Sequence, residues 1–253
     1  MGPPRHRWSH SGGVRGEVSL VSDAEVEAAA KAMYEFNLKA ACDAIDRLSF
    51  DPMEVPTFVN NLKDESETAQ VLIFYSYLDD RVKSIIALHM HDLTSQTAQD
   101  KLFGTNGPLN TFSSRILLSY HLGWLTVDQK ERLEAFRKVR NEFAHRAFQV
   151  DFKTPTIASH VARLDYTSTG LFERLSKSVP RIAVHPTVLA NLVLLALKTF
   201  EQLLVFPIAK TFHVDPYSII NKRPALLRTV QHSLTECLLL TGTEQWPAPI
   251  DGL

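Results

Sequence analysis

The chain has 253 residues, enough for one large domain whose core needs neither disulfides nor a metal ion. Lys and Arg number 27 against 28 Asp and Glu, a formal net charge of -1, which excludes a global basic field that would draw the protein onto DNA or anionic lipid. Cys42 and Cys237 lie far apart, each among apolar neighbours on a predicted helix, and read as core thiols of a reducing compartment rather than a disulfide framework.

Residues 1–20 mix Pro, Gly, Ser, His and Arg without periodicity and read as a flexible basic tail. The remainder, 21–253, reads as a single helical domain. Ser22 or Asp23 can cap a first helix in which Val26, Ala29, Met33, Phe36, Ala40, Ile45 and Leu48 recur at helical spacing until Asp51-Pro52. Residues 53–64 form a connector with a helical turn. Between about Ser66 and Asp92, Val71, Phe74, Tyr75, Leu78, Val82, Ile85 and His89 make one buried stripe with Asp79 at its edge. Residues 102–109 are a turn by their Gly and Pro content, Ser113 to Leu122 resumes helix, and Gly123 ends it. Thr126 or Asp128 starts a helix to about residue 148. A short helix near Ile157–Leu164 follows, with room for a strand or hairpin in 149–184. His185-Pro186 opens a long helix to about Lys210, and a last helix spans about Pro224 to Leu240. The expected architecture is an all-α bundle of about five to seven helices.

The most apolar stretch, Val188 to Leu197, is interrupted by Asn191 and followed by Lys198 and Glu201. It falls short of the ~20 residues of a membrane span and reads as a buried helix. The first residues lack the apolar centre of a secretory signal and the Ser or Thr of a myristoylation signal, so a cytoplasmic protein with no membrane partner is expected.

The chemistry concentrates in the 128–148 helix. At 100° per residue, Leu133, Phe136, Arg140, Phe143, Ala144 and Ala147 share one arc, which puts Arg140 on the apolar face. A guanidinium keeps its charge, so it needs a carboxylate, carbonyls or an anionic ligand there. Arg137, Asn141 and His145 form a second row beside it, completing a polar wall. Two readings follow. In one, Arg140 and His145 flank a phosphodiester and cleave RNA without a metal, with the 2′-hydroxyl as nucleophile. In the other, Arg140 forms a structural ion pair with Asp79 while Asn141 and His145 cap or bridge. Arg115 and Arg137 are further anion contacts in the first reading, and Arg115 is an ordinary ion-pair partner in the second.

Three blocks carry a family resemblance: Gly107-Pro108-Leu109 through Phe112-Ser113-Ser114-Arg115-Ile116, Tyr120-His121-Leu122-Gly123, and Arg140-Asn141-Glu142-Phe143-Ala144-His145. Together they resemble the mannitol operon repressor (MltR) family over roughly residues 65–165, the family-like core. The stretch Arg140-Asn141-x-x-x-His145 is also similar to the Arg, polar residue, spacer, His signature of HEPN domains. The HEPN resemblance implies a helical bundle paired through this helix, Arg140 and His145 as catalytic or RNA-contacting residues, Asn141 as an orienting group, and an endoribonuclease of a toxin–antitoxin or antiviral system. The repressor resemblance implies a regulator of transcription or stress responses acting through protein partners. A homodimer, a protein partner or antitoxin, and RNA are accordingly the expected contacts.

Other chemistries find no support. No helix-turn-helix with a basic recognition helix is legible, which argues against direct sequence-specific DNA binding. His89 and His91 point about 200° apart on one helix, so no metal site is expected there. There is no Gly-x-Ser-x-Gly elbow, P-loop or dinucleotide fingerprint, and no cofactor is predicted. Lys222, Arg223 and Arg228 read as a solvated face.

Overall fold

The computed structural model describes residues 22–48, 54–62, 64–90, 95–146, 149–166 and 188–222. Among them all regular structure is helical: α1 (Asp23–Asp46), α2 (Glu54–Leu62), α3 (Glu67–Leu88), α4 (Gln96–Phe103), α5 (Phe112–His121), α6 (Val127–Arg146), α7 (Pro155–Val161), a 3-10 turn (Ala162–Leu164), α8 (Val188–Thr211) and α9 (Pro216–Lys222). The all-α bundle is as the sequence indicates. The helices outnumber the five to seven expected because connectors also coil, notably α4 and α9. Cys237, the 224–240 helix, the 1–20 tail and residues 167–184 of the 149–184 region with its suggested hairpin lie outside the described residues.

Local chemistry sets the helix ends. Ser22 accepts from the Glu25 amide while the Glu25 carboxylate accepts from the Ser22 amide, a reciprocal cap that starts α1. Ser66 and Ser95 accept from the amides of Ala69 and Ala98 to start α3 and α4. Thr126 does the same for α6 through the Gln129 amide, at 3.2 Å. Gly123 stands at φ 71° in the turn that closes α5, a left-handed conformation in which a side chain would be strained.

Helix α8 is the spine. Its first half buries Leu192, Val193, Leu195, Phe200 and Leu203 against α3 and α6, together with Val55, Phe74, Leu78, Phe136 and Phe143. Its last turns carry Val205, Ile208 and Ala209 into a second cluster with Leu38, Ala41 and Ile45 of α1 and Ile219 and Ile220 of α9. Cys42 is half-buried beside that cluster. The segment Asn191–Thr211 is long and apolar enough to cross a membrane, contrary to the sequence estimate, which stopped counting at Lys198 and Glu201. Within the protein 83% of its most apolar window is buried, the placement of a core helix.

Pro207 lies inside α8 and has no amide hydrogen for the carbonyl of Leu203, four residues back. The ring of His89, the residue that caps the end of α3, is buried beside the Leu203 main chain, and its Nε2 has no hydrogen-bond partner among the described residues. Its ring also packs on Trp124 at 5.5 Å between centroids. Burial holds the His89 imidazole below the usual histidine range, although the adjacent Leu203 main chain favours the charged form.

A histidine held neutral in the fold contributes stability that is complete above its unfolded value of about 6.5 and is lost as pH falls through the lower folded value. Melting temperature should therefore drop between about pH 6.5 and pH 5, and His89→Gln, which keeps a donor but does not titrate, should flatten that drop. His160, also depressed by burial, will leave a residual slope. Melts recorded across this range, with an identical slope for His89→Gln and the natural chain, would refute the assignment.

Candidate functional site

The site lies where α3, α5 and α6 meet. Its foundation is the turn from Gly104 to Asn110. Leu109 donates its amide back to the Leu102 carbonyl at 2.8 Å, and Gly107 to Gly104 at 2.8 Å. A Cβ on Gly107 would stand 2.3 Å from the Leu102 carbonyl oxygen, so the close approach of backbone to backbone requires glycine. The folded turn leaves the carbonyls of Leu109 and Asn110 facing Arg115, whose Nε and Nη2 donate to them at 2.9 Å and 3.2 Å. Its Nη1 pairs with the carboxylate of Asp79 on α3.

This geometry corrects the expected pairing of Arg140 with Asp79. Arg115, only 4% exposed, is the permanent charge set into the greasy interior, and it takes the carboxylate. Burial pushes the Asp79 carboxyl up from its usual range, and Arg115 draws it back only in part. Arg115 is thus an ion-pair partner, not an exposed anion contact.

Arg140 is partly buried at the edge of the apolar face rather than at its centre. Leu133, Ala135, Phe136, Val139 and Phe143, with Gln129 and Arg132, are the enclosed set, and their mean direction lies ~60° round the helix from Arg140. Ala144 is exposed and Ala147 lies outside the described residues. The Arg140 guanidinium stands over the ring of Tyr75, 4.8 Å from its centroid, and Nη1 donates to Asn141 Oδ1 at 3.2 Å. Tyr75 itself packs edge-on against Phe112 at 5.1 Å and against Phe136 at 5.9 Å. Burial pushes its hydroxyl up, helped by Asp79, while the charges of Arg140, Arg137 and Arg115 pull it down.

The second row separates. Arg137 pairs with Glu134 at 2.9 Å, and Glu134 also accepts from Ser113 of α5 at 3.3 Å. Arg146 pairs with Glu142. His145 is exposed in the last turn of α6, and no hydrogen bond joins it to Arg140 or Asn141 among the described residues. Nor do any three His, Cys, Asp or Glu side chains among those residues group to hold a metal ion.

A second polar network escaped the sequence reading. Arg132 is 8% exposed, pairs with Asp128 at 2.9 Å, donates to the carbonyls of Arg163 and Asp165, and stands 4.1 Å from the Tyr166 ring centroid. The Tyr166 hydroxyl donates to Gln129, which donates to Thr199 and to the Leu195 carbonyl. Asn191 accepts from the Tyr166 amide. The available signal was the Asp128-x-x-x-Arg132 spacing on the same face as Phe136, which marks a satisfied charge two turns before Arg140. Its groups bond to one another and to main chain, so this network fastens α6, the 3-10 turn and α8 together.

The two arginines should behave differently on removal. Arg115→Ala strands Asp79 and two carbonyls and should cost about 3–5 kcal/mol. Arg140→Ala loses a ring contact and one hydrogen bond and should cost about 1 kcal/mol. Urea titrations of both variants check this ordering, and equal losses would contradict it. No family profile matches the chain, and comparison with curated proteins and with solved structures returns no similar protein or fold.

Proposed function

We propose that the chain is a regulatory protein of the mannitol operon repressor type on a HEPN-like helical scaffold, acting by contact with a protein partner that offers an acidic group to Arg140. The observation that supports this reading is the condition of that guanidinium. On the same helix Arg132, Arg137 and Arg146 are each matched by a carboxylate, Asp128, Glu134 and Glu142. Arg140 has an aromatic ring and an amide oxygen instead. A guanidinium resting over a ring keeps its remaining donors oriented and loses little side-chain freedom on receiving an anion. A carboxylate can then be bound through charge-assisted hydrogen bonds.

A second reading, metal-independent endoribonuclease with Arg140 and His145 as its pair and Asn141 orienting one of them, is favoured by one feature: the His145 imidazole is exposed on the same helix. Five residues apart, the two side chains diverge by ~140° on a regular helix. One chain therefore does not bring both to the same phosphate without a change at the end of α6. This geometry weighs toward the binding role.

Incubation of the purified protein with single-stranded RNA in EDTA separates the two. The regulator reading expects intact RNA, and cleavage abolished by a folded His145→Ala variant would overturn it. In a host strain lacking the gene, the natural chain should restore the transcript pattern and Arg140→Ala, at equal protein level, should not. Full restoration by Arg140→Ala would remove Arg140 from the contact.

A further inference from the structure

Helix α1 enters the body of the protein only from Tyr34 onward, where the Tyr34 hydroxyl donates to Ser218 and Glu35 pairs with Lys222 of α9. Every residue from Ser22 to Met33 is exposed. An isolated helical arm of this length is marginal in water even with a good cap. This one also exposes large apolar side chains: Val26 is 56%, Met33 65% and Phe36 72% exposed.

These side chains are ordered. Val26, Met33 and Ala40 recur every seven residues, and Ala29 and Phe36 fall between them at the alternate three-and-four spacing. The stripe so formed faces away from Leu38, Ala41 and Ile45, which pack into the second cluster. One edge of the stripe carries Glu25, Ala32 and Lys39, again seven apart, and the other carries Asp23, Ala30 and Asn37.

We propose that α1 is a self-association helix, pairing antiparallel with α1 of a second copy of this chain. The occupant is identified by charge and shape. With Ala29 set against the partner's Met33 and Val26 against the partner's Phe36, the two-fold axis falls beside Ala30 and Ala32, whose small side chains let the helices approach. The same register places Glu25 opposite the partner's Lys39, and Lys39 opposite the partner's Glu25, so the two charges of that edge are matched by the symmetry alone, while on the other edge Asp23 faces the partner's neutral Asn37. A parallel pair places no opposite charges across the seam and sets the two bodies side by side at the same end. In the antiparallel pair the partner's Ser22 stands beside Ala40, on the side of α1 turned away from Leu38, Ala41 and Ile45, which hold the body.

Sedimentation velocity of the full chain over about 1–100 μM should show a reversible dimer, since a single short helix pair lies at the small end of specific interfaces. Phe36→Glu should leave it monomeric throughout, with an unchanged melting temperature, because Phe36 does not pack into the body. Glu25→Lys should weaken the dimer about tenfold, and the doubly swapped Glu25→Lys, Lys39→Glu chain should recover to within about threefold of the natural one, as coupled partners do. A chain that is monomeric at every concentration overturns the proposal, as does a dimer indifferent to Phe36→Glu, which would lie on another face such as α6. Failure of the double swap to recover overturns the antiparallel register. None of these outcomes depends on what Arg140 binds.

Discussion

The ion pair between Arg115 and Asp79 governs the arrangement around it. It joins α3 to α5 in a nearly enclosed position, and it forms only because the Gly104–Asn110 turn folds tightly enough to lend Arg115 two carbonyls. A buried charge pair is worth little in net stability, yet losing one partner is costly, which makes it a device for fixing arrangement. With Asp79 taken by Arg115, Arg140 rests on Tyr75. The character of Arg140 thus follows from a glycine more than thirty residues earlier.

The protein contains two sorts of polar interior. The Arg132, Tyr166, Gln129, Thr199 and Asn191 network closes on itself, each group answered by another or by main chain. The Tyr75 cluster does not close: its three guanidinium groups meet two carboxylates, Asp79 and Glu134. Closed networks hold elements in register, and an excess of charge beside an aromatic surface is what an incoming anion can use. That contrast separates scaffold from candidate site without appeal to any relative.

Helical periodicity made most of the bundle legible from sequence: the stripe from Val71 to Ile85, the serine that starts α1 and the glycine after α5 all lie where residue chemistry puts them. Short helices such as α4 and α9 were hidden because their seven or eight residues hold too few turns to show a period. The site was half legible. Asp79, Arg115, Arg137 and Arg140 do all act on the Tyr75 hydroxyl, but the partnership among them turns on a ~60° difference in helix rotation and on a loop carbonyl, neither of which a helical wheel contains. His145 was read into the same wall and instead points into solvent from the final turn.

Pro207 has a consequence beyond its own helix. The main-chain ladder of α8 is missing a rung where the helix passes from the large cluster to the small one, and the His89 ring of α3 is packed beside the gap. Local unfolding begins where few cooperative bonds cross a boundary. The end of α8, α9 and the root of α1 therefore form a natural unit for partial opening, able to loosen as one block while the larger core stays shut.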